Sequence, residues 1–189
     1  MGTGVPAVFL DRDGVLVVPE FRDGRSYAPR DLGSYAFYPE ASAAVAALKS
    51  AGFLTVVVTN QPDIGAGLIS AETVEEMHRR LAEAMPVDAI RVCPHTRDQK
   101  CDCRKPAPGL LLKAAEELGI DLGRSFMVGD RASDVEAGKA AGCRTLFIDL
   151  GYTAEPRPRD ADWTIQSVGA AAELIRELAV RREGVHGTN

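Results

Sequence analysis

Val5-Pro-Ala-Val-Phe-Leu10 runs directly into Asp11-Arg12-Asp13-Gly14, and this stretch decides the fold. An apolar run without polar alternation reads as a strand buried on both faces, the habit of a central strand in a parallel sheet. Residues 53–59 (FLTVVVT), ending at Asn60, have the same character. Shorter runs at 89–93, 125–128 and 145–148 continue the series. Residues 162–165, after the stiff connection Pro156-Arg157-Pro158-Arg159, read as an edge strand.

Helical patterns separate these runs. Residues 39–51 are alanine-rich and close on Gly52, which suits the end of a helix. Ser70 can cap a helix whose apolar positions Val74, Met77 and Leu81 recur three and four apart. Residues 110–118, ending at Gly119, and 168–180 give two more. Strand–helix alternation predicts an α/β fold with a parallel sheet flanked by helices. Ligands of such sheets sit at the carboxyl ends of the strands, which gathers Asp11, Thr59, Asn60, Gly129 and Asp130 at one rim. The tail, 181–189, is polar and expected to fray.

The rim residues carry a consistent chemistry. Asp11 and Asp13, two apart, would face opposite ways on a strand, but in the loop leaving it both can turn to one ligand. Asp11 could attack phosphorus as a nucleophile, and Asp13 could give a proton to the leaving alcohol and later take one from water. Standing alone, the pair would read as a polar turn. Thr59, Asn60 and Gln61 offer neutral donors for phosphoryl oxygens. Lys105 offers a point charge that neutralises them, although a lone lysine is a surface residue by default. In Gly129-Asp130-Arg131-Ala132-Ser133-Asp134, Asp130 and Asp11 supply the hard oxygens that suit Mg²⁺. Asp134 would be a ligand or an orienter, or would only complement a helix N-terminus.

In order and position these four motifs resemble the haloacid-dehalogenase-like superfamily, over roughly residues 8–148. The resemblance implies a Rossmann-like topology, catalytic Mg²⁺ and Asp11 as the nucleophile. It also implies Asp11, the backbone carbonyl of Asp13 and Asp130 as metal ligands, with Asp134 at their edge. An acid at position 13 favours phosphatases over dehalogenases. Residues 15–38 are too few for a large cap domain and predict a small flap over an open rim.

Cys93-Pro-His95 and Cys101-Asp-Cys103 form a Cys₃His set, the closed complement of a structural Zn²⁺. Free cysteines beside an ordinary loop histidine are the plain alternative. A zinc-stabilised loop, 93–103, would hold Arg104 and Lys105 in place. Cys143 reads as a small buried apolar residue. The run CPHTRDQKCDCRKPAPG resembles a subgroup containing the D-glycero-D-manno-heptose 1,7-bisphosphate phosphatases and the histidinol-phosphate phosphatases. That resemblance makes Arg104 and Arg131 substrate-binding cations.

The chain departs from the heptose pattern at Ala66, where an arginine is expected, and at Val17, where an asparagine is expected. The segment between His95 and Cys101 has five residues, closer to the histidinol-phosphate branch. The remainder, including SFMVGDRASDVEAGKAAG, favours the heptose bisphosphate. Histidinol phosphate or another phosphorylated sugar is the alternative within this class. A non-enzymatic zinc-stabilised binding module is the alternative outside it.

Composition agrees with a small-molecule enzyme. A length of 189 residues fits one domain, and 46% hydrophobic with 26% charged residues is ordinary for a globular chain. A net charge of −5 argues against nucleic acid as partner. No apolar run approaches the roughly 18 residues of a membrane span, and the start lacks a signal-type pattern. The expectation is a cytoplasmic monomer acting on a phosphorylated metabolite.

Overall fold

The structure, a computed structural model, describes residues 4–186, with side chains through Arg181. Six strands form one sheet: β1 (Ala7–Leu10), β4 (Leu54–Asn60), β5 (Ala89–Cys93), β6 (Phe126–Gly129), β7 (Arg144–Ile148) and β8 (Trp163–Ile165). Their spatial order is β5-β4-β1-β6-β7-β8, and every pairing is parallel. Leu10 of β1 stands opposite Val57 of β4 on one side and Val128 of β6 on the other.

The pleat explains the absence of polar alternation in β1. Val8 and Leu10 join a core with α1 (Ala41–Ser50), α3 (Ala71–Ala84) and α6 (Val168–His186), through Val45, Leu48, Met77, Leu81 and Ile175. Ala7 and Phe9 join a second core with α4 (Gly109–Leu118) and α5 (Ala132–Ala141), through Leu111, Ala114 and Ala137. Both faces are therefore covered, and all four β1 residues are fully buried. Burial of a Leu or Phe side chain contributes about 1.5–3 kcal/mol, so this strand anchors the rim that follows it.

Local signals act as the sequence suggests. Ser70 Oγ accepts the Thr73 amide at 3.1 Å and caps α3. Gly119 closes α4 in the left-handed region, with φ 65°. The last helix runs to His186, beyond the expected end at residue 180, so the segment expected to fray is helical through 186. Its anchoring residues Val168, Ala171, Ala172 and Ile175 lie in the first turns, and Arg181, Arg182 and Glu183 favour continuation. Residues 187–189 of that tail lie outside the described residues.

The flap is a small antiparallel hairpin, β2 (Glu20–Arg22) with β3 (Arg25–Tyr27), and among the described residues no larger cap covers the rim. A short helix, α2 (Pro62–Gly65), follows β4. From β1 the chain builds outward through β4 and β5 on one side, and through β6, β7 and β8 on the other. The order thus reverses between β1 and β6, the place where open α/β sheets form a ligand crevice.

Candidate active site

Asp11 leaves β1 at that reversal, its amide donating to Val128 O at 2.9 Å. Its Oδ1 accepts the Arg12 amide at 2.8 Å and lies 2.9 Å from Lys105 Nζ. Oδ2 is left without a protein hydrogen-bond partner among the described residues. Lys105 Nζ also lies 2.7 Å from Asp134 Oδ1 and donates to Val58 O at 2.8 Å. Burial works against the ammonium, but Asp11 and Asp134 outweigh it and hold the Lys105 pKa above its ordinary value.

One carboxylate oxygen each of Asp11, Asp130 and Asp134 lies within 4.8 Å of the others. Burial, with repulsion from Asp11 and Asp134, drives the Asp130 pKa well above the carboxylate range. Burial also pushes Asp134 up to about 6, against the pull of Lys105. Asp130 Oδ1 is buried with no partner, and Oδ2 accepts the Tyr152 hydroxyl. Three crowded hard oxygens, one of them orphaned, fit a divalent cation such as Mg²⁺. Asp134 is tied on both sides, since its Oδ2 accepts the Arg131 amide at 3.1 Å.

Two glycines make this crowding possible. A Cβ at Gly14, whose φ is +88°, would stand 2.1 Å from Asp130 Oδ2. A Cβ at Gly129 would stand 2.2 Å from Asp134 Cβ. Each motif glycine is therefore the space its neighbouring aspartate occupies.

Asp13 points to a different set of partners. Its carboxylate receives Arg12 Nη2 at 2.9 Å, Arg12 Nε at 3.1 Å and Gln61 Nε2 at 2.7 Å. The Arg12 guanidinium is fully buried, shares a hydrogen bond of 3.1 Å with His78 Nε2 and lies 5.7 Å from the Tyr35 ring centre. Burial and Arg12 together depress the His78 pKa to about 4. Gln61 Nε2 also donates to Thr59 Oγ1 at 2.9 Å, leaving that hydroxyl its own proton to donate.

Several expected substrate contacts are turned toward protein. Asn60 spends both ends of its amide on the Lys105 backbone, and buried Gln61 binds Thr59 and Asp13. Arg104 Nη1 donates to His95 O at 3.0 Å. Arg131 Nη2 donates to Ser26 O and Oγ of the hairpin, and Nη1 lies 3.4 Å from Glu155. Sequence reading passed over Arg12, His78, Ser26 and Tyr152. Only Arg12, inside the first motif, carried a positional signal.

Cys93, His95, Cys101 and Cys103 also converge. Cys93 Sγ lies 3.7 Å from Cys101 Sγ and 3.5 Å from His95 Nδ1, and Cys103 Sγ lies 3.3 Å from His95 Nδ1. Tetrahedral ligands at Zn–S of about 2.3 Å and Zn–N of about 2.0 Å stand about 3.5–3.8 Å apart, so the spacing suits one such ion. Burial, together with Cys93 and Cys101, pushes the Cys103 thiol up to about 12. Cys143 is buried apart from this cluster.

Comparison with known proteins decides the family. A D-glycero-β-D-manno-heptose-1,7-bisphosphate 7-phosphatase of Pasteurella multocida is 36% identical over 185 residues, covering 91% of this chain and 97% of its own. The chain belongs to the haloacid-dehalogenase-like phosphatases. Within them it stands among the heptose bisphosphate phosphatases, and it is a phosphoric monoester hydrolase. The enzyme of the same name from Escherichia coli strain K12 is 36% identical over 191 residues, covering 94% of this chain and 97% of its own. The HAD-hydrolase-like family model matches residues 102–171. A crystal structure of D,D-heptose 1.7-bisphosphate phosphatase from B. bronchiseptica, complexed with magnesium and phosphate, superposes with a TM-score of 0.78 at 30% identity. It covers 92% of this phosphatase and 99% of its own chain. Among the described residues of this phosphatase, no helix is long and apolar enough to cross a membrane.

Proposed function

We propose that this phosphatase removes the 7-phosphate of D-glycero-D-manno-heptose 1,7-bisphosphate by way of a phosphoryl group carried on Asp11. The observation that carries the chemistry is the meeting of Asp11, Lys105, Asp130 and Asp134 at the ends of β1 and β6. The substrate follows from relatives that match over nearly their whole length and bear that name.

Asp11 Oδ2 attacks phosphorus as the bond to the sugar oxygen breaks. Asp13 gives its proton to that oxygen, releasing heptose 1-phosphate. Water then attacks the aspartyl-phosphate, Asp13 takes its proton, and inorganic phosphate leaves. Arg12 and Gln61 hold the Asp13 carboxylate for these transfers. Lys105 offsets charge on the nucleophile and the phosphoryl oxygens, and the Thr59 hydroxyl donates to one of them. Asp11, Asp130 and the Asp13 backbone carbonyl, with Asp134 at their edge, would hold Mg²⁺, which would supply further charge neutralisation. Zn²⁺ in the Cys₃His cluster is structural, and Arg104 ties that loop to the Lys105 segment. Arg104 and Arg131 each keep guanidinium donors beyond those already used, and these serve the distal phosphate. The enzyme acts as a cytoplasmic monomer.

A phosphate-release panel with Mg²⁺ tests the reading, using heptose 1,7-bisphosphate, histidinol phosphate and fructose 1,6-bisphosphate. The heptose bisphosphate is expected to have the highest kcat/KM. A preference for histidinol phosphate overturns the substrate, and full turnover by Asp11→Asn overturns the mechanism.

A further inference from the structure

Asp130 is held from two sides. Its Oδ2 accepts the Tyr152 hydroxyl and packs over Gly14, and its Oδ1 is buried without a partner. Tyr152 thereby determines which oxygen remains for a cation. The same tyrosine ring meets Phe21 of β2, with ring centres 5.2 Å apart. Two residues on, the Ala154 amide donates to Gly24 O at the hairpin tip, at 3.1 Å. Arg131, next to Asp130 in the chain, donates to Ser26 on β3. The hairpin is thus docked on both the hydrogen-bond partner and the chain neighbour of one carboxylate.

We propose that Tyr152 is a positioning residue, which aims Asp130 Oδ1 at the cation and links that carboxylate to the hairpin. The inference rests on the reading that Asp130 holds Mg²⁺. Without the hydroxyl, Oδ2 becomes a second buried oxygen with no partner, and only packing over Gly14 is left to select the rotation of the carboxylate. Partners that orient a metal-ligating carboxylate typically matter about 10–100-fold to affinity. Because coupling of two binding events is reciprocal, the cation should also secure the hairpin.

Tyr152→Phe keeps the ring against Phe21 and removes the hydroxyl. Two measurements read it without turnover: calorimetric titration with Mg²⁺, and amide exchange in residues 20–27 with and without Mg²⁺. The unaltered protein is expected to bind Mg²⁺ and to slow exchange in the hairpin when it does. The variant should bind about tenfold or more weakly, and the slowing should shrink. Wild-type affinity and protection in the variant overturn the inference while leaving the Mg²⁺ reading intact. A lowered Tm with unchanged Mg²⁺ affinity marks a merely structural tyrosine and overturns it as well. An unaltered protein that binds no Mg²⁺ overturns both. Phe21→Ala, at an exposed hairpin position, gives a second reading. It should weaken Mg²⁺ binding by a smaller factor, and unchanged affinity there overturns the link to the hairpin.

Discussion

Asn60 grips the backbone of Lys105 at two points: its Nδ2 donates to Lys105 O at 3.0 Å, and Lys105 N donates to its Oδ1 at 3.1 Å. Asn60 ends β4, and the Lys105 side chain reaches back across that strand to Val58 O. An ammonium between two carboxylates is thus held by its main chain as well as by its charge. This arrangement commits both ends of the Asn60 amide to the Lys105 main chain.

Replacing Asn60 with Ala removes both bonds and leaves Lys105 N and O to find new partners. The expected loss is about 1–3 kcal/mol of stability, at roughly 0.5–1.5 kcal/mol for each bond. Turnover should fall about 10–100-fold, the scale on which misplaced catalytic groups act. Denaturant melts and steady-state kinetics check both. Unchanged kcat in a destabilised variant would count against the positioning role.

Asp11→Asn should leave a folded protein with about 10⁵-fold less phosphate release. Lys105 keeps Asp134 as a partner, and one of three crowded carboxylates is neutralised, so the fold should tolerate the change. Single-turnover kinetics with acid quench would show a phosphorylated chain in the unaltered enzyme and none in the variant.

His78 gives a pH prediction whose sign can be worked out. Its pKa falls from 6.5 to about 4 on folding, because it is buried beside Arg12. Between those values the unfolded chain binds more protons, so stability rises with pH across the window. The contribution is fully present above 6.5 and is lost as pH falls toward about 4, by up to about 3 kcal/mol. His78→Gln retains an acceptor for Arg12 but cannot titrate. Urea midpoints at pH 7 and pH 4.5 should diverge less in that variant than in the unaltered protein.

The Cys₃His cluster should contain about one zinc per chain by metal analysis. Since Cys103 sits near 12 on its own, coordination must displace its proton, and zinc affinity should increase with pH. Removal by a strong chelator is expected to lower Tm and to expose the 93–104 segment to protease. A chelated protein with unchanged Tm would refute a structural ion.

Much of the fold was legible because its signals are local. Continuous apolar runs mark strands buried on two faces, as Val8 and Phe9 show by entering different cores. Helix ends at Ser70 and Gly119 declare themselves through a hydroxyl and a left-handed turn. The extension of the last helix to His186 was not legible, since the apolar pattern that packs on the core ends at Leu178 and Ala179.

By itself, the sequence determined that acids follow buried strands and that three cysteines and a histidine crowd one loop. Strand ends of a parallel sheet share a rim, so burial alone gathers Asp11, Asp130 and the residues after β4. Only the tertiary structure decided what each polar side chain binds. Tyr152 reaches Asp130 across 22 residues, Asn60 reaches Lys105 across 45, and Arg131 reaches Ser26 across 105. Apolar burial repeats with the period of its element and so leaves a pattern in the chain. A hydrogen bond needs one partner at one distance and angle, and the chain that brings the partner there leaves no periodic trace.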